Sequence, residues 1–170
     1  MEAYFINSPL GTIEILGDDE VVTSINFVEE KKLSEGVFPS EVTLCIKELN
    51  AYFQGNLLDF NFNFQQNGTD FQQKVWAGLL KIPYGTTLSY LELSRRLGDE
   101  KAIRAVGTTN GKNKLAVVIP CHRVIGSDGS LTGYAGGLWR KEWLLNHERK
   151  ISGKGGEQLG LFNLGSYLFI

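Results

Sequence analysis

Cysteine and histidine are both scarce in this chain, which contains only two of each among its 170 residues. Structural zinc sites draw most of their ligands from these residue types, and residues 1–68 contain Cys45 and no histidine. We therefore expect neither a metal nor any other cofactor. Cys45 has the spacing of a helix core position relative to Val42 and Leu49, so we expect a buried free thiol, which suits a reducing compartment.

Long apolar runs are also absent. No stretch approaches the roughly 20 residues of a transmembrane helix, and residues 1–4 lack the basic start and apolar middle of a signal peptide. A hydrophobic content of 42% with 21% charged residues is typical of a soluble chain with one or two small domains. We expect a cytoplasmic protein with no membrane partner.

Basic residues are few in the first part of the chain. Residues 1–68 carry three Lys and Arg against eleven Asp and Glu, whereas residues 69–170 carry fourteen against eight. The net charge of −2 does not by itself suggest a nucleic-acid partner. The asymmetry indicates only where a polyanion would bind, which is the second part.

The first part shows strand patterns followed by a helix. Three short apolar runs separated by turn residues predict an antiparallel meander over 3–7, 12–16 and 21–27. Ser40 is the expected N-cap of a helix through Phe53, ended by Gly55. The alternation of phenylalanine and asparagine over 60–64 predicts a further strand, and the Asn67-Gly68 turn marks the expected domain boundary.

From Thr69 onward the patterns are helical. We expect Thr69 or Asp70 to cap a first helix, Thr87 to cap a second that ends at Gly98, and Asp99 to begin a third. The second and third helices have a helix-turn-helix signature, and residues 126–130 predict a wing-like turn. Many helical hairpins bind nothing, so this pattern is weak when taken alone.

One tetrapeptide, Pro120-Cys121-His122-Arg123, follows directly after the apolar run 115–119. Proline stiffens the backbone that enters the cysteine, and the neighbouring imidazole can help to generate the reactive thiolate. A cysteine next to a histidine is more often a packing feature than a catalytic one. Three interpretations remain open: a reactive cysteine, a core cysteine in a winged-helix regulator, and a Cys-His hydrolase, which would need an oxyanion hole.

The surrounding motifs closely resemble the O6-alkylguanine-DNA alkyltransferases, also called methylated-DNA-protein-cysteine methyltransferases. The resemblance runs from about Phe71 to Glu148 and continues more loosely to the beginning of the chain. The motifs that carry it are Ile103-Arg104-Ala105-Val106-Gly107, Asn113, Ile119-Pro120-Cys121-His122-Arg123-Val124-Ile125, Gly133-Tyr134-Ala135-Gly136-Gly137, Lys141-Glu142-Trp143-Leu144-Leu145 and Glu148 in the second part, and Ser8-Pro9-Leu10-Gly11 and Leu49-Asn50-Ala51-Tyr52-Phe53 in the first.

The resemblance implies an α+β fold in two domains. A small ribonuclease H-like α/β domain would occupy residues 1–68, and a mostly helical winged helix-turn-helix domain that binds DNA and carries the chemistry would occupy residues 69–150. A glycine-rich extension would follow over 151–170. The implied activity is repair: a monomer binds double-stranded DNA through the minor groove, flips out O6-alkylguanine or O4-methylthymine, and transfers the alkyl group irreversibly to Cys121 in one turnover.

The resemblance also assigns roles to individual residues. His122, acting through a water molecule and paired with Glu148, would remove the thiol proton, and the carbonyl groups of Cys121 and Val124 would accept from the guanine amino group. Arg104 would fill the space that the flipped nucleotide leaves. The complete sets are Cys121, His122, Glu148, Asn113 and Tyr90 for catalysis, Arg104, Ile103, Ala105, Tyr90 and Arg123 for DNA binding, and Val124, Tyr134, Ala135 and Ala116 for the substrate pocket.

Two pocket positions depart from the family pattern. Many relatives carry serine where this chain has Ala135, and some carry proline where it has Ala116. Both residues are smaller here, which leaves the acceptance of bulkier alkyl groups open.

Overall fold

The structure is a computed structural model that describes residues 1–153 and divides into two compact units. The first unit comprises Met1–Asn67 and Lys114–Val118, and the second comprises Gly68–Asn113 and the chain from Ile119 onward. Most of the extension expected over 151–170 lies outside the described residues. In the described part of the chain no helix is long and apolar enough to cross a membrane.

The first unit contains an antiparallel sheet, as its sequence predicts. Strands β1 (Glu2–Ser8), β2 (Gly11–Gly17) and β3 (Val22–Val28) pair in that order. Ile15 and Ile25 lie directly opposite each other, so their side chains point to the same face of the sheet, and both are buried.

Helix α1 (Ser40–Phe53) adds a buried apolar stripe to the first unit, formed by residues such as Val42, Cys45 and Leu49. Cys45 is a fully buried free thiol, which confirms its expected place in the core. Burial raises the pKa of this thiol far above its ordinary value, so Cys45 is an inert core residue.

Two local expectations for the first unit are wrong. Pro39, not Ser40, is the N-cap of α1, because the Ser40 hydroxyl donates to the backbone oxygen of Asp19 and makes no cap bond. Residues 60–64 form no strand, and only Phe64 makes an isolated bridge, to Val22. The backbone amides there are taken by helix carboxylates instead. Glu48 accepts from Asn61 and Phe62, and Glu41 accepts from Asn63.

The segment Lys114–Val118 belongs to the first unit although it lies late in the sequence. The Ile25 amide donates to the Lys114 oxygen at 2.7 Å, and the Ala116 amide donates to the Ile25 oxygen at 3.0 Å. Ala116, an expected pocket residue, is thus tied to β3.

The second unit is mainly helical, with α2 (Asp70–Leu80), α3 (Tyr90–Arg96), α4 (Ile103–Gly111) and α5 (Leu138–Ile151). Thr69 caps α2 in a capping box with Gln72, as predicted. The cap of α3 is Ser89 rather than Thr87. The Ser89 hydroxyl accepts from the Glu92 amide while the Glu92 carboxylate accepts from the Ser89 amide, and this reciprocal pair fixes the start of the helix.

A short pair of parallel strands brings the start of α3 next to the segment that follows Arg123. Strand β4 (Leu88–Ser89) pairs with β5 (Val124–Ile125), so the residues just before α3 lie beside those just after Arg123. The wing-like turn follows β5 as expected, closed by the Gly126 amide donating to the Ser130 oxygen at 2.8 Å.

Candidate active site

Cys121 lies at the start of a short 3₁₀ turn in the second unit. Pro120 has φ −79° and ψ 59°, the geometry of an inverse γ-turn, and the Cys121 amide accordingly donates to the Ile119 oxygen at 2.7 Å. The Arg123 amide donates to the Pro120 oxygen at 3.0 Å and closes the next turn. Cys121 is only 6% exposed, so the backbone holds a buried thiol in a fixed position.

Asn113 braces this turn through its amide nitrogen. Nδ2 donates to the Ile119 oxygen at 2.9 Å and lies 3.2 Å from Sγ of Cys121. A donor at the sulfur stabilises the thiolate more than the neutral thiol. Asn113, expected in the catalytic set, therefore contacts both the turn that carries the nucleophile and the nucleophile itself.

His122 and Glu148 form a fully buried pair, with Nε2 and Oε1 2.8 Å apart. An ionised carboxylate can only accept, so Nε2 carries the proton and, in the neutral ring, Nδ1 has the free lone pair. Burial lowers the pKa of His122 below its ordinary value, although Glu148 acts in the opposite direction. Nδ1 is buried without a hydrogen-bond partner among the described residues, and it is the basic atom that this pair presents.

Glu148 is held in its ionised form by several donors. Arg123 donates from Nε to Oε2 at 2.8 Å and from Nη2 to Oε1 at 2.9 Å, and the Gly85 amide donates to Oε2 at 3.3 Å. Burial alone would raise the pKa of Glu148, but His122 and Arg123 together leave it well below the ordinary value. The carboxylate keeps its charge and fixes the orientation of the imidazole.

Arg123 lies in the interior of the unit, contrary to its expected place in the DNA-binding set. Its third guanidinium nitrogen, Nη1, donates to the Ile82 oxygen at 2.7 Å, and the residue is 7% exposed. All three guanidinium nitrogens are bonded inside the protein and the residue is buried, so Arg123 is poorly placed to contact a phosphate. We therefore assign it to the support of Glu148.

Lys141 is a site residue to which the sequence assigned no role. It is fully buried on α5, where its Nζ donates to the Val124 oxygen at 2.6 Å and to the Thr132 oxygen at 2.8 Å. Burial lowers the pKa of Lys141 to about 8, partly offset by Cys121. The sequence did contain a signal for its burial: Lys141 lies seven residues before Glu148 and therefore on the same face of α5.

Opposing effects act on the pKa of the Cys121 thiol. Burial raises the pKa of Cys121 above its ordinary value, while the hydrogen bond from Asn113 and the positive charge of Lys141 lower it. The first influence dominates, so the resting residue is a protonated thiol that becomes the nucleophile only when its proton is taken away.

Tyr90 lies at the first position of α3 and faces the loop that precedes α5. Its hydroxyl donates to the Thr132 oxygen at 3.2 Å, and Lys141 lies over its ring, with Nζ 5.8 Å from the centroid. Burial raises the pKa of Tyr90, so the phenol keeps its proton. Tyr90 and Lys141 thus share the Thr132 carbonyl.

The remaining expected residues fall into two groups. Val124 is fully buried in β5, Tyr134 has a buried hydroxyl and Ala135 is exposed. The second group, at the start of α4, is exposed and comprises Ile103, Arg104 and Ala105.

Family models match nearly the whole described chain. The model for the DNA binding domain of 6-O-methylguanine DNA methyltransferase matches residues 70–150, and the model for the ribonuclease-like domain of the same proteins matches residues 2–66. The chain belongs to the 6-O-methylguanine DNA methyltransferase family. This membership and the α+β fold, a small sheet domain before a helical one, confirm the expectations drawn from the motifs.

Named members of this methyltransferase family are similar over most of their length. The methylated-DNA--protein-cysteine methyltransferase of Mycobacterium tuberculosis is 43% identical over 148 residues, covering 85% of this chain and 90% of the relative. That of Methanosarcina acetivorans is 44% identical over 149 residues, covering 83% and 94%.

Solved structures of family members share the fold. The Mycobacterium tuberculosis OGT in complex with DNA matches with a TM-score of 0.80 at 42% identity, covering 89% of this chain and 94% of that one. The O6-methylguanine-DNA methyltransferase from Pyrococcus kodakaraensis has a TM-score of 0.61 at 23% identity, covering 86% and 97%, and shares the fold alone.

Proposed function

We propose that this chain repairs alkylated DNA by transferring the alkyl group from O6 of guanine to its own Cys121. Family membership supports the activity, and one observation carries its assignment to Cys121. The buried Sγ has a donor at 3.2 Å in Asn113 and is followed in sequence by a histidine whose tautomer a carboxylate fixes. This arrangement can form a thiolate and then shield it from water.

The reaction is a displacement at the alkyl carbon. His122 Nδ1 takes the thiol proton through a bridging water, and the resulting imidazolium is stabilised by Glu148. The thiolate then attacks the alkyl carbon: the C–S bond forms, the bond from carbon to O6 breaks, and its electron pair remains on the guanine, which takes up a proton. A thioether is a poor leaving group, so each molecule reacts once.

DNA binding is proposed for the exposed start of α4. Arg104 has the charge and exposure to enter a duplex through the minor groove and occupy the space of a flipped nucleotide, with Ile103 and Ala105 beside it. Tyr90, at the start of α3, would assist the flipping and bond the base. We propose a monomer that acts on O6-alkylguanine and on O4-methylthymine.

Mass spectrometry tests this proposal directly. Incubation with a duplex that contains one O6-methylguanine should add one methyl group per chain, and peptide mapping should locate it on Cys121. Cys45→Ser is the matched control and should react as the unmodified protein does. Repeated turnover would favour a hydrolase, whereas DNA binding without methyl transfer would favour a regulator; either result would contradict the proposal.

A further inference from the structure

Val117, four residues before the nucleophile, has a backbone conformation that its own side chain disfavours. Its φ is +72°, and it is the one non-glycine residue with a positive φ in the part of the chain that the structure describes. The branched Cβ makes this left-handed conformation costly, so a valine keeps it only where the surroundings leave no alternative. Strained residues of this kind cluster at functional sites, and the proposed transfer gives Val117 no role.

The chain on the N-terminal side of Val117 is held along β3. The Ile25 amide donates to the Lys114 oxygen, and the Ala116 amide donates to the Ile25 oxygen. The Lys114 amide in turn donates to the side-chain oxygen of Gln66 at 2.9 Å. These three hydrogen bonds fix the course of the chain as far as Ala116, so any change of direction has to follow there.

The chain on the C-terminal side is held by the side chain of Asn113. The Ile119 oxygen accepts from Nδ2 of Asn113 at 2.9 Å, so the two ends of the segment Lys114–Val118 meet. A turn over residues 116–118, with Val117 at its centre, reverses the chain between these anchored ends. Glycine or asparagine is the usual residue where a turn needs a positive φ. Here the valine side chain is 1% exposed, and its burial offsets the strain.

We propose that Val117 is a positioning residue for the transfer: its left-handed backbone returns the chain to Asn113 and thereby places Cys121. This role rests on the proposed function. The return of the chain matters because Nδ2 of Asn113 binds the Ile119 oxygen and also lies 3.2 Å from Sγ of Cys121. If Val117 left the left-handed region, Ile119 would move away from Asn113, and the turn through Pro120 would shift with it. A displacement of about 1 Å can slow a reaction about a hundredfold.

Alanine and glycine at this position separate the backbone from the side chain. Both remove the buried methyl groups, but only glycine adopts a positive φ without strain. With a duplex containing O6-methylguanine at saturation, the single-turnover rate constant of Val117→Ala should fall roughly tenfold, because the turn is no longer held. Val117→Gly should stay within about threefold of the unmodified protein and melt roughly 2–4 °C above Val117→Ala. The duplex concentration that gives half the maximal rate should change in neither variant, because the exposed start of α4 is intact.

Val118 provides the matched control, because this neighbouring valine is also buried, at 5% exposure, and its φ is not positive. There the order should reverse, and Val118→Gly should melt below Val118→Ala, since glycine only adds entropy to the unfolded chain. Val117→Asn, which tolerates the left-handed region, is the second variant if the glycine protein does not fold.

Two results would overturn this role of Val117. One is an equal rate constant for the alanine and glycine variants at position 117, measured where both are folded, which would mean that Val117 supports only the fold. The other is the same order of alanine and glycine at positions 117 and 118. If the unmodified protein transfers no methyl group, the proposed function itself fails, and that result is visible before any variant is compared.

Discussion

Replacing Glu148 with glutamine tests the buried network behind Cys121. The carboxylate accepts from His122, twice from Arg123 and from the Gly85 amide. Glutamine keeps the shape but puts an NH₂ group where one oxygen had been, so at least one donor faces another donor. It also leaves the buried Arg123 guanidinium without its counter-charge.

The second effect sets the expected size. Breaking a buried ion pair on one side typically costs about 3–5 kcal/mol, because the remaining charge is uncompensated. For a chain of this length, 1 kcal/mol corresponds to about 2–4 °C in Tm, so the melting temperature should fall by roughly 6–20 °C. The imidazole also loses the acceptor that fixes its tautomer, and removing a general base or its orientation typically slows a reaction about 10²–10⁴-fold.

The assay combines urea unfolding with single-turnover methyl transfer. Glu148→Gln should lower the free energy of unfolding at an unchanged m-value, and should slow the transfer under conditions in which the protein is folded. The double variant Glu148→Gln with Arg123→Met removes the uncompensated charge, so it should regain part of the lost stability without regaining the rate. A loss below about 1 kcal/mol in the single variant, or a double variant less stable than the single one, would refute this account of the network.

Three further outcomes are expected. Arg104→Ala should slow transfer from duplex DNA much more than transfer from free O6-benzylguanine, since under the proposed function only the duplex requires flipping; equal losses would mean that Arg104 supports the fold. The pKa of His122 and that of Glu148 are both lowered, so the unfolded chain binds more protons and the free energy of unfolding should decrease as the pH falls below about 6.5. A denaturant midpoint that stays constant from pH 7 to pH 4 would contradict this. Methylation of Cys121 crowds a buried site whose sulfur lies 3.2 Å from Asn113, so the methylated protein should be less stable by about 1–3 kcal/mol, and a raised Tm would show that the site has room for the product.

The sequence correctly predicted those helices and strands whose signals lie within a few neighbouring residues. The three strands of the first unit follow from alternating apolar residues and intervening turns, and Thr69 caps α2 as its spacing to Gln72 indicates. The same rule could have found the α3 cap, because Ser89 and Glu92 have the spacing of a capping box. The segment 60–64 could not be predicted in this way. Its alternation is strand-like, but carboxylates of the preceding helix α1 satisfy its amides, and the local pattern does not encode those contacts.

At the site, too, the sequence motif identified the reacting residues but not the buried contacts that surround them. The motif around Cys121 and its resemblance to a known family indicated the nucleophile, His122 and Glu148, and the structure brings the last two within hydrogen-bond distance. The motif did not show that Arg123 is buried, because burial depends on Ile82 and Glu148, which lie far from it in sequence. The motif also assigned no role to Lys141, because its partners are backbone oxygens, and only its position on the core-facing side of α5 pointed to it.

A cysteine that reacts once gains from being unreactive at rest. A thiolate exposed to solvent would be lost to oxidants and to small electrophiles, and no second turnover would replace it. Here burial keeps Cys121 protonated, while the groups that favour its thiolate, Asn113 and Lys141, are already in place. The remaining requirement is removal of the proton by His122. The cysteine is thus expected to react only when an alkylated base occupies the site. A small alkylating agent tests this expectation, because it can reach Cys121 when no base is bound. Its reaction with Cys121 at neutral pH should be slower than with a free cysteine, and an equal or faster rate would show that the thiolate is already formed in the resting protein.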